Sequence, residues 1–243
     1  DQDWAPPWAT LAILERLEGA GLPGTFFVTH DCPCLERLRA SPLAELGWHP
    51  NFLPGSSHGG SFEEVLCTME RMVPGARGAR AHALMRGTPL LLAYRERGLL
   101  YDASDIHDGA TGLRPFVSWT GLVRLPIFFE DDVHLQRGLP CRLEALDLDS
   151  DGLKVFNLHP VLVTLNASST EDYEALKKDL QARGVPLTDA SEEDVAAHRR
   201  DDREGIADLL DALLGHLARH PDRRGGKLEE VARAALAGQP PTC

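Results

Sequence analysis

No stretch of this 243-residue chain approaches the roughly 20 consecutive apolar residues that a helix needs to cross a bilayer. A membrane-spanning helix is therefore not expected. Positive charge is also scarce: 25 Lys and Arg stand against 37 Asp and Glu, a formal net charge of -12, and such a surface repels phosphate backbones and anionic lipid headgroups. Nucleic acid is not an expected partner. Cysteine is sparse and odd in number, five at irregular spacings, which fits reduced, structural thiols better than a disulfide framework. Cys32-Pro33-Cys34 lacks both the second pair of a zinc knuckle and the two-residue gap of a redox motif. The opening segment from Asp1 has no basic-then-apolar leader pattern, so the expected location is the cytoplasm, although a segment upstream of Asp1 would escape notice.

What is present is enough apolar sequence, 43% of residues, to bury a substantial core. Apolar residues at Trp8, Leu11, Leu14 and Leu17 predict a helix that Gly21 and Pro23 end. Thr25-Phe26-Phe27-Val28-Thr29 reads as a strand buried on both faces. Further helices are expected over Cys34–Leu46, over Ser61–Met72 with Ser61 and Glu64 as a capping box, and over Pro89–Arg97. Leu122–Leu125 and Lys154–Leu158 read as strands, and Ile206–Leu217 returns to a helical period. This alternation predicts an α/β fold with a largely parallel sheet or barrel. One domain is expected over 1–243, with motifs in 1–166 and helices in 167–238 on the same body, and Gln239–Cys243 as a frayed tail. Asn166-Ala167-Ser168 matches a glycosylation sequon, read as accidental.

The polar residues that could carry chemistry fall where parallel strands end, the face on which α/β enzymes build their sites. Asp1 and Asp3 precede the first helix, His30 follows a strand, and His159 ends another. His49 and His58 lie nine positions apart on a Pro/Gly-rich loop that can fold back on itself. A carboxylate with two imidazoles suits zinc or a similar divalent ion. Asp before a helix is equally an ordinary N-cap, and His58 equally a surface residue. Arg80-Ala81-His82 and Glu130-Asp131-Asp132-Val133-His134 also suit solvated faces, and His159 is placed either as a general acid or as a hydrogen-bonded structural residue.

Taken in order, the acidic pair, Gly24-Thr25-Phe26-Phe27-Val28-Thr29-His30, the His-Pro-Asn-Phe loop, the Arg segment, the acidic segment and the strand ending in His159 resemble the polysaccharide deacetylase (NodB-like) family. The likeness is narrower to the branch associated with O-antigen and surface-polysaccharide loci. The resemblance implies a distorted or incomplete (β/α) barrel holding a divalent ion, zinc first, with cobalt, nickel or manganese as alternatives. It implies Asp3, His49 and His58 as metal ligands, with His30 and His82 as rivals of His58. It implies Asp1 as general base, Arg80 as its partner, His159 as general acid and Asp132 as the residue orienting His159. The implied activity is hydrolysis of the N-acetyl group of an amino sugar in a surface polysaccharide or its precursor, with that N-acetylated carbohydrate as the partner. Two other readings accompany it: a catalytically silent carbohydrate-binding relative, and a different metal-dependent amidohydrolase with His30 or His82 as ligand.

Overall fold

The computed structural model describes residues 1–223 and 225–238; the expected tail at Gln239–Cys243 lies outside them. Helix α1 (Pro7–Ala20) begins with proline at its first position, where a missing N–H costs nothing, and ends on Gly21 in the left-handed conformation (φ 65°). Strand β1 (Gly24–Val28) follows, as the apolar run predicts. The helix expected over Cys34–Leu46 needs correction: α2 covers Cys34–Ala40, and β2 takes Ala44–Trp48. Pro42 holds Ser41 in extended backbone (φ -82°, ψ 124°) and cuts the helical period there. A second correction concerns the thiols: Cys32 and Cys34 form a disulfide, their Cα atoms brought to 5.3 Å by the turn at Pro33, while Cys67 and Cys141 are free.

Helix α3 (Phe62–Met72) carries the expected Ser61/Glu64 capping box. After it come β3 (Gly78–Ala79), α4 (Thr88–Glu96), β4 (Tyr101–Ile106), β5 (Phe116–Val117) and β6 (Val123–Glu130). The strand expected to stop at Leu125 runs on through Pro126. The register of β4 on β6 shifts between Asp102 and Asp105, next to the Asp105–Pro126 pairing, and such an irregularity is where a central strand tolerates a residue without an N–H. Then follow α5 (Asp131–Gln136), β7 (Val155–Asn157), α6 (Pro160–Thr164), α7 (Thr170–Ala182), α8 (Glu192–Ala196), α9 (Ile206–Arg219) and α10 (Leu228–Leu236).

Strands β1, β2, β3, β4 and β6 lie side by side and parallel; β7 pairs parallel with the end of β6, and β5 antiparallel with its start. The fold is thus α/β, a barrel left incomplete between β1 and β7. The backbone of Asp1 and Gln2 spans one end of that opening, Gln2 N donating to Phe27 O (2.9 Å) and Asp1 N to Leu158 O (2.8 Å). A cavity of about 750 Å³ lies along β1 and β7, lined by apolar Ile13, Phe26, Phe156 and Leu210 and also by charged Asp1, Arg80 and Lys154. All eight residues of β6 are buried, so the strand is covered on both faces, as a parallel sheet between layers requires. Ala9 and Ile13 of α1 pack with Val161 of α6, Leu176 of α7 and Leu210 of α9 in one core, so the C-terminal helices share the body of the motif-bearing segment. Burying each Leu or Ile side chain contributes about 1.5–3 kcal/mol. Among the described residues no helix is long and apolar enough to cross a membrane.

One glycine is required by close packing. A Cβ on Gly78 would lie 1.9 Å from the Tyr101 ring, which crosses β3 so that its hydroxyl donates to Glu45 Oε1 at 2.7 Å.

Candidate active site

Five strands of the parallel set deliver a polar residue to one mouth just beyond their C-terminal ends: Thr29 and His30 after β1, His49 after β2, Arg80 and His82 after β3, Asp131 after β6 and His159 after β7; His107, which follows β4, faces Asp105 instead (3.6 Å). The acidic segment Asp1–Asp3 lies across them. Gln2 fixes it, its Oε1 accepting from the backbone N–H groups of Thr29 (2.9 Å) and His30 (3.1 Å) while its Nε2 reaches Cys32 Sγ at 3.3 Å. Asp3 and Trp4 both adopt left-handed backbone (φ 43° and 53°), which costs about 1–2 kcal/mol per non-glycine residue. Trp4 N donates to Thr29 Oγ1 at 3.0 Å and holds that turn. The turn aims the Asp3 carboxylate inward.

Asp3 Oδ1 lies 2.9 Å from His49 Nε2 and 3.0 Å from His82 Nδ1, and one ligand atom from each of the three residues lies within 4.8 Å of the others. Burial raises the Asp3 pKa, but the facing imidazoles of His49, His159 and His82 outweigh it and hold the group well below the usual carboxylate range. Burial pushes His49 down to about 4, so its ring is neutral at physiological pH with a lone pair to offer. Its Nδ1 has no hydrogen-bond partner and lies 3.8 Å from Asp1 Oδ1. An anionic carboxylate and two imidazoles, one of them buried with its second nitrogen unpartnered, fit a divalent ion of the zinc type.

The structure does not bring His58 into this set. Its Nδ1 accepts from Asn51 N (3.0 Å) and its Nε2 faces Thr29 O (2.6 Å), so both ring nitrogens are engaged in closing the loop. His82, three residues beyond β3, stands beside Asp3 instead, with the Trp4 indole 5.2 Å from its ring and 5.8 Å from that of His58. His30 turns its Nδ1 to Thr29 Oγ1 (3.2 Å) and leaves Nε2 buried and unpartnered, outside the cluster.

Asp1 is held from two sides. Arg80 NH1 donates to Asp1 Oδ1 (3.0 Å) and Asn157 Nδ2 to Asp1 Oδ2 (2.9 Å), and Arg80 NH1 also donates to Asn157 Oδ1 at 2.7 Å. The guanidinium is itself anchored by Nε on Ala103 O (2.9 Å) and lies over the Phe27 ring at 4.6 Å. Burial lowers the Arg80 pKa to about 10, which leaves the group charged at neutral pH. The Asp1 side chain is 2% exposed.

His159 faces Asp3 with Nε2 (3.4 Å to Oδ2), and its Nδ1 is bonded to Asp131 Oδ1 at 2.6 Å. Asp131 Oδ2 accepts from His159 N at 2.7 Å, so one buried carboxylate fixes both ring and backbone. Burial pulls the His159 pKa down, but Asp131 and Asp3 outweigh it and hold the imidazole well above its ordinary value. The residue bonded to His159 is Asp131 rather than Asp132, whose Oδ1 accepts from Val133 N (2.6 Å) in the first turn of α5. Glu130 completes the surround: it pairs across the sheet with Asn157, its Oε2 has no partner, and burial and Asp132 push its pKa up to about 7.

Asn157, Asp131, Gln2 and Glu130 therefore brace or border this cluster, and spacing alone did not single them out. The available signal was adjacency: Asn157 closes β7 two residues before His159, and Asp131 is the first residue past β6. Which of three consecutive acids faces inward depends on where β6 ends, and the Pro126 irregularity hid that.

The chain is similar to known proteins. The model of the WbmS-like polysaccharide deacetylase family matches residues 1–177. A crystal structure from Bordetella bronchiseptica, of a protein described as an inferred polysaccharide deacetylase involved in O-antigen biosynthesis, is 30% identical with a TM-score of 0.73, over 89% of this chain and 88% of that one. A second, from Mycobacterium smegmatis, shares the fold at 18% identity and a TM-score of 0.51, over 97% of this chain and 79% of that one. No curated protein matches. With a family match over more than half its length, the chain belongs to the WbmS-like polysaccharide deacetylases.

Proposed function

We propose that this chain is a divalent-metal-dependent hydrolase that removes the N-acetyl group from an amino sugar of a surface polysaccharide or its precursor. The observation that carries the reading is the convergence of Asp3, His49 and His82 between two buried, differently poised groups, the Arg80-paired Asp1 and the Asp131-paired His159. Asp3, His49 and His82 would hold the ion. When bound, a divalent ion polarises the acetamide carbonyl and acidifies water, so that hydrolysis proceeds near neutral pH.

The remaining chemistry belongs to the chain. Asp1, anionic between Arg80 and Asn157, takes a proton from the attacking water. Arg80 and Asn157 fix both carboxylate oxygens, which keeps the base oriented and blocks its rotation away from the substrate. His159 enters the reaction as imidazolium, because Asp131 stabilises the charged ring, and gives its Nε2 proton to the departing amine nitrogen. The products are acetate and a free amino sugar. The test is release of acetate from N-acetylated glycosides by zinc-loaded protein. The reading expects release that chelation abolishes and zinc restores; sugar binding with no release under any metal would leave a carbohydrate-binding protein in its place.

A further inference from the structure

Beside the Asp3–His159 pair lies a cavity of about 200 Å³, bounded by α5 on one side and α7 on the other. Leu135 and Val161 give it an apolar floor, and Asp132, Gln136, Tyr173 and Glu174 a polar wall. Ligand sites for drug-sized molecules run to about 300–1,000 Å³, so this volume suits one sugar ring with its acyl group rather than a stretch of polymer. Burial pushes the Tyr173 phenol up to about 12, which keeps it a neutral hydrogen-bond donor.

The charges on the wall are one-sided. Among the described residues, no Lys or Arg lines the cavity; His159 is its one basic side chain, and Asp131 neutralises it from 2.6 Å. Asp3 is committed to the candidate ligand set. Asp132 and Glu174 remain facing the space a sugar would fill. Lys177 offsets Glu174 at 2.6 Å from outside the lining, in an exposed pair that water and salt screen, whereas Asp132 is partly buried, shares His159 with Asp131 within 4.8 Å, and among the described residues has no Lys or Arg paired to it. Repulsion built into a wall is a means of rejecting one ligand among close relatives.

The geometry points to this cavity as a subsite for a single uncharged N-acylated sugar ring, from which Asp132 and Glu174 exclude rings bearing a carboxylate. The inference rests on the deacetylase reading for its choice of ligand, but not for its test. The probes are methyl N-acetylglucosaminide and its C6-carboxylate counterpart, compared on zinc-loaded wild type, Asp132→Asn and Glu174→Gln. Wild type is expected to favour the neutral probe in kcat/KM by about ten-fold or more, and Asp132→Asn to narrow that ratio more than Glu174→Gln does. Glu174 is exposed, so its variant retains the fold and serves if Asp132→Asn does not. Equal or better turnover of the carboxylate probe, or a ratio unchanged in both variants, overturns the inference. If neither probe is hydrolysed, calorimetric binding decides: selective binding of the neutral probe keeps the subsite while the deacetylase reading falls, and binding of neither, or of both equally, removes the subsite too.

Discussion

Two clusters of buried polar side chains occupy opposite ends of the same sheet, and they differ in how completely their atoms are paired. At the N-terminal ends of the strands, Glu45 accepts from the Tyr101 hydroxyl (2.7 Å) on one oxygen and from Thr25 Oγ1 (2.7 Å) and Glu229 N (3.0 Å) on the other. Thr25 in turn accepts from Leu228 N, so the cluster receives the start of α10 and locks it to β1. At the C-terminal ends, His49 Nδ1, Glu130 Oε2 and His30 Nε2 are buried without partners, and the backbone at Asp3 and Trp4 is left-handed. A satisfied buried carboxylate is a fastening. A cluster that tolerates orphan atoms and strained backbone is kept for something the chain alone does not supply.

Breaking the unsatisfied cluster should therefore cost activity, and breaking the satisfied one stability. The largest effect is expected from His82→Ala, which removes one of three candidate ligands; bound zinc, measured by elemental analysis after dialysis, should fall to background, whereas His58→Ala should retain it. Next, His159→Gln should lower kcat by about 10²–10⁴-fold, the usual worth of a positioned general acid. Asp131→Asn should cost less at the optimum but move the basic limb of the pH profile. The His159 pKa is raised in the folded protein, so the protonated acid persists to high pH; without Asp131 the pKa drops and activity falls off at lower pH. The stability that this raised pKa confers is present below the unfolded value and lost as pH climbs through the folded one, so the variant should unfold more readily at neutral pH and the difference should shrink in alkali.

At the other end, Glu45→Gln places an amide N–H₂ against groups that donate, and should cost about 1–3 kcal/mol in urea unfolding while leaving kcat unchanged. The smallest effect belongs to Arg16→Ala, which removes an exposed pair with Asp211 and should shift stability by less than about 1 kcal/mol. Loss of zinc in the Glu45 variant, or of stability alone in the His82 variant, would dissolve the contrast between the two ends.

The sequence disclosed these regions unequally. Asp1 and Asp3 were legible as an acidic pair before the first helix, His49 and His159 as imidazoles at strand ends and Arg80 through the family resemblance, and the structure brings all five together. The choice between His58 and His82 was not legible: the Pro/Gly-rich loop after His49 folds so that His58 caps its own backbone, and only the short β3 places His82 at the same mouth. The Glu45 cluster left no trace in spacing at all, because its partners lie 20, 56 and 184 positions away. Periodicity recovered α1, β1, α3 and α9, whose faces are one-sided or wholly apolar. It failed beside two prolines, in opposite senses: Pro42 ended a helix expected to run on to Leu46, and Pro126 sat inside a strand expected only over Leu122–Leu125.

Asp3, His49 and His82 are proposed here to hold one divalent ion. An anomalous-scattering map from crystals grown with zinc tests it without knowledge of the substrate. A single peak bonded to those three residues, with Asp1 and His159 on its open side, is expected. A peak held by His58, or none between Asp3 and His82, would contradict it.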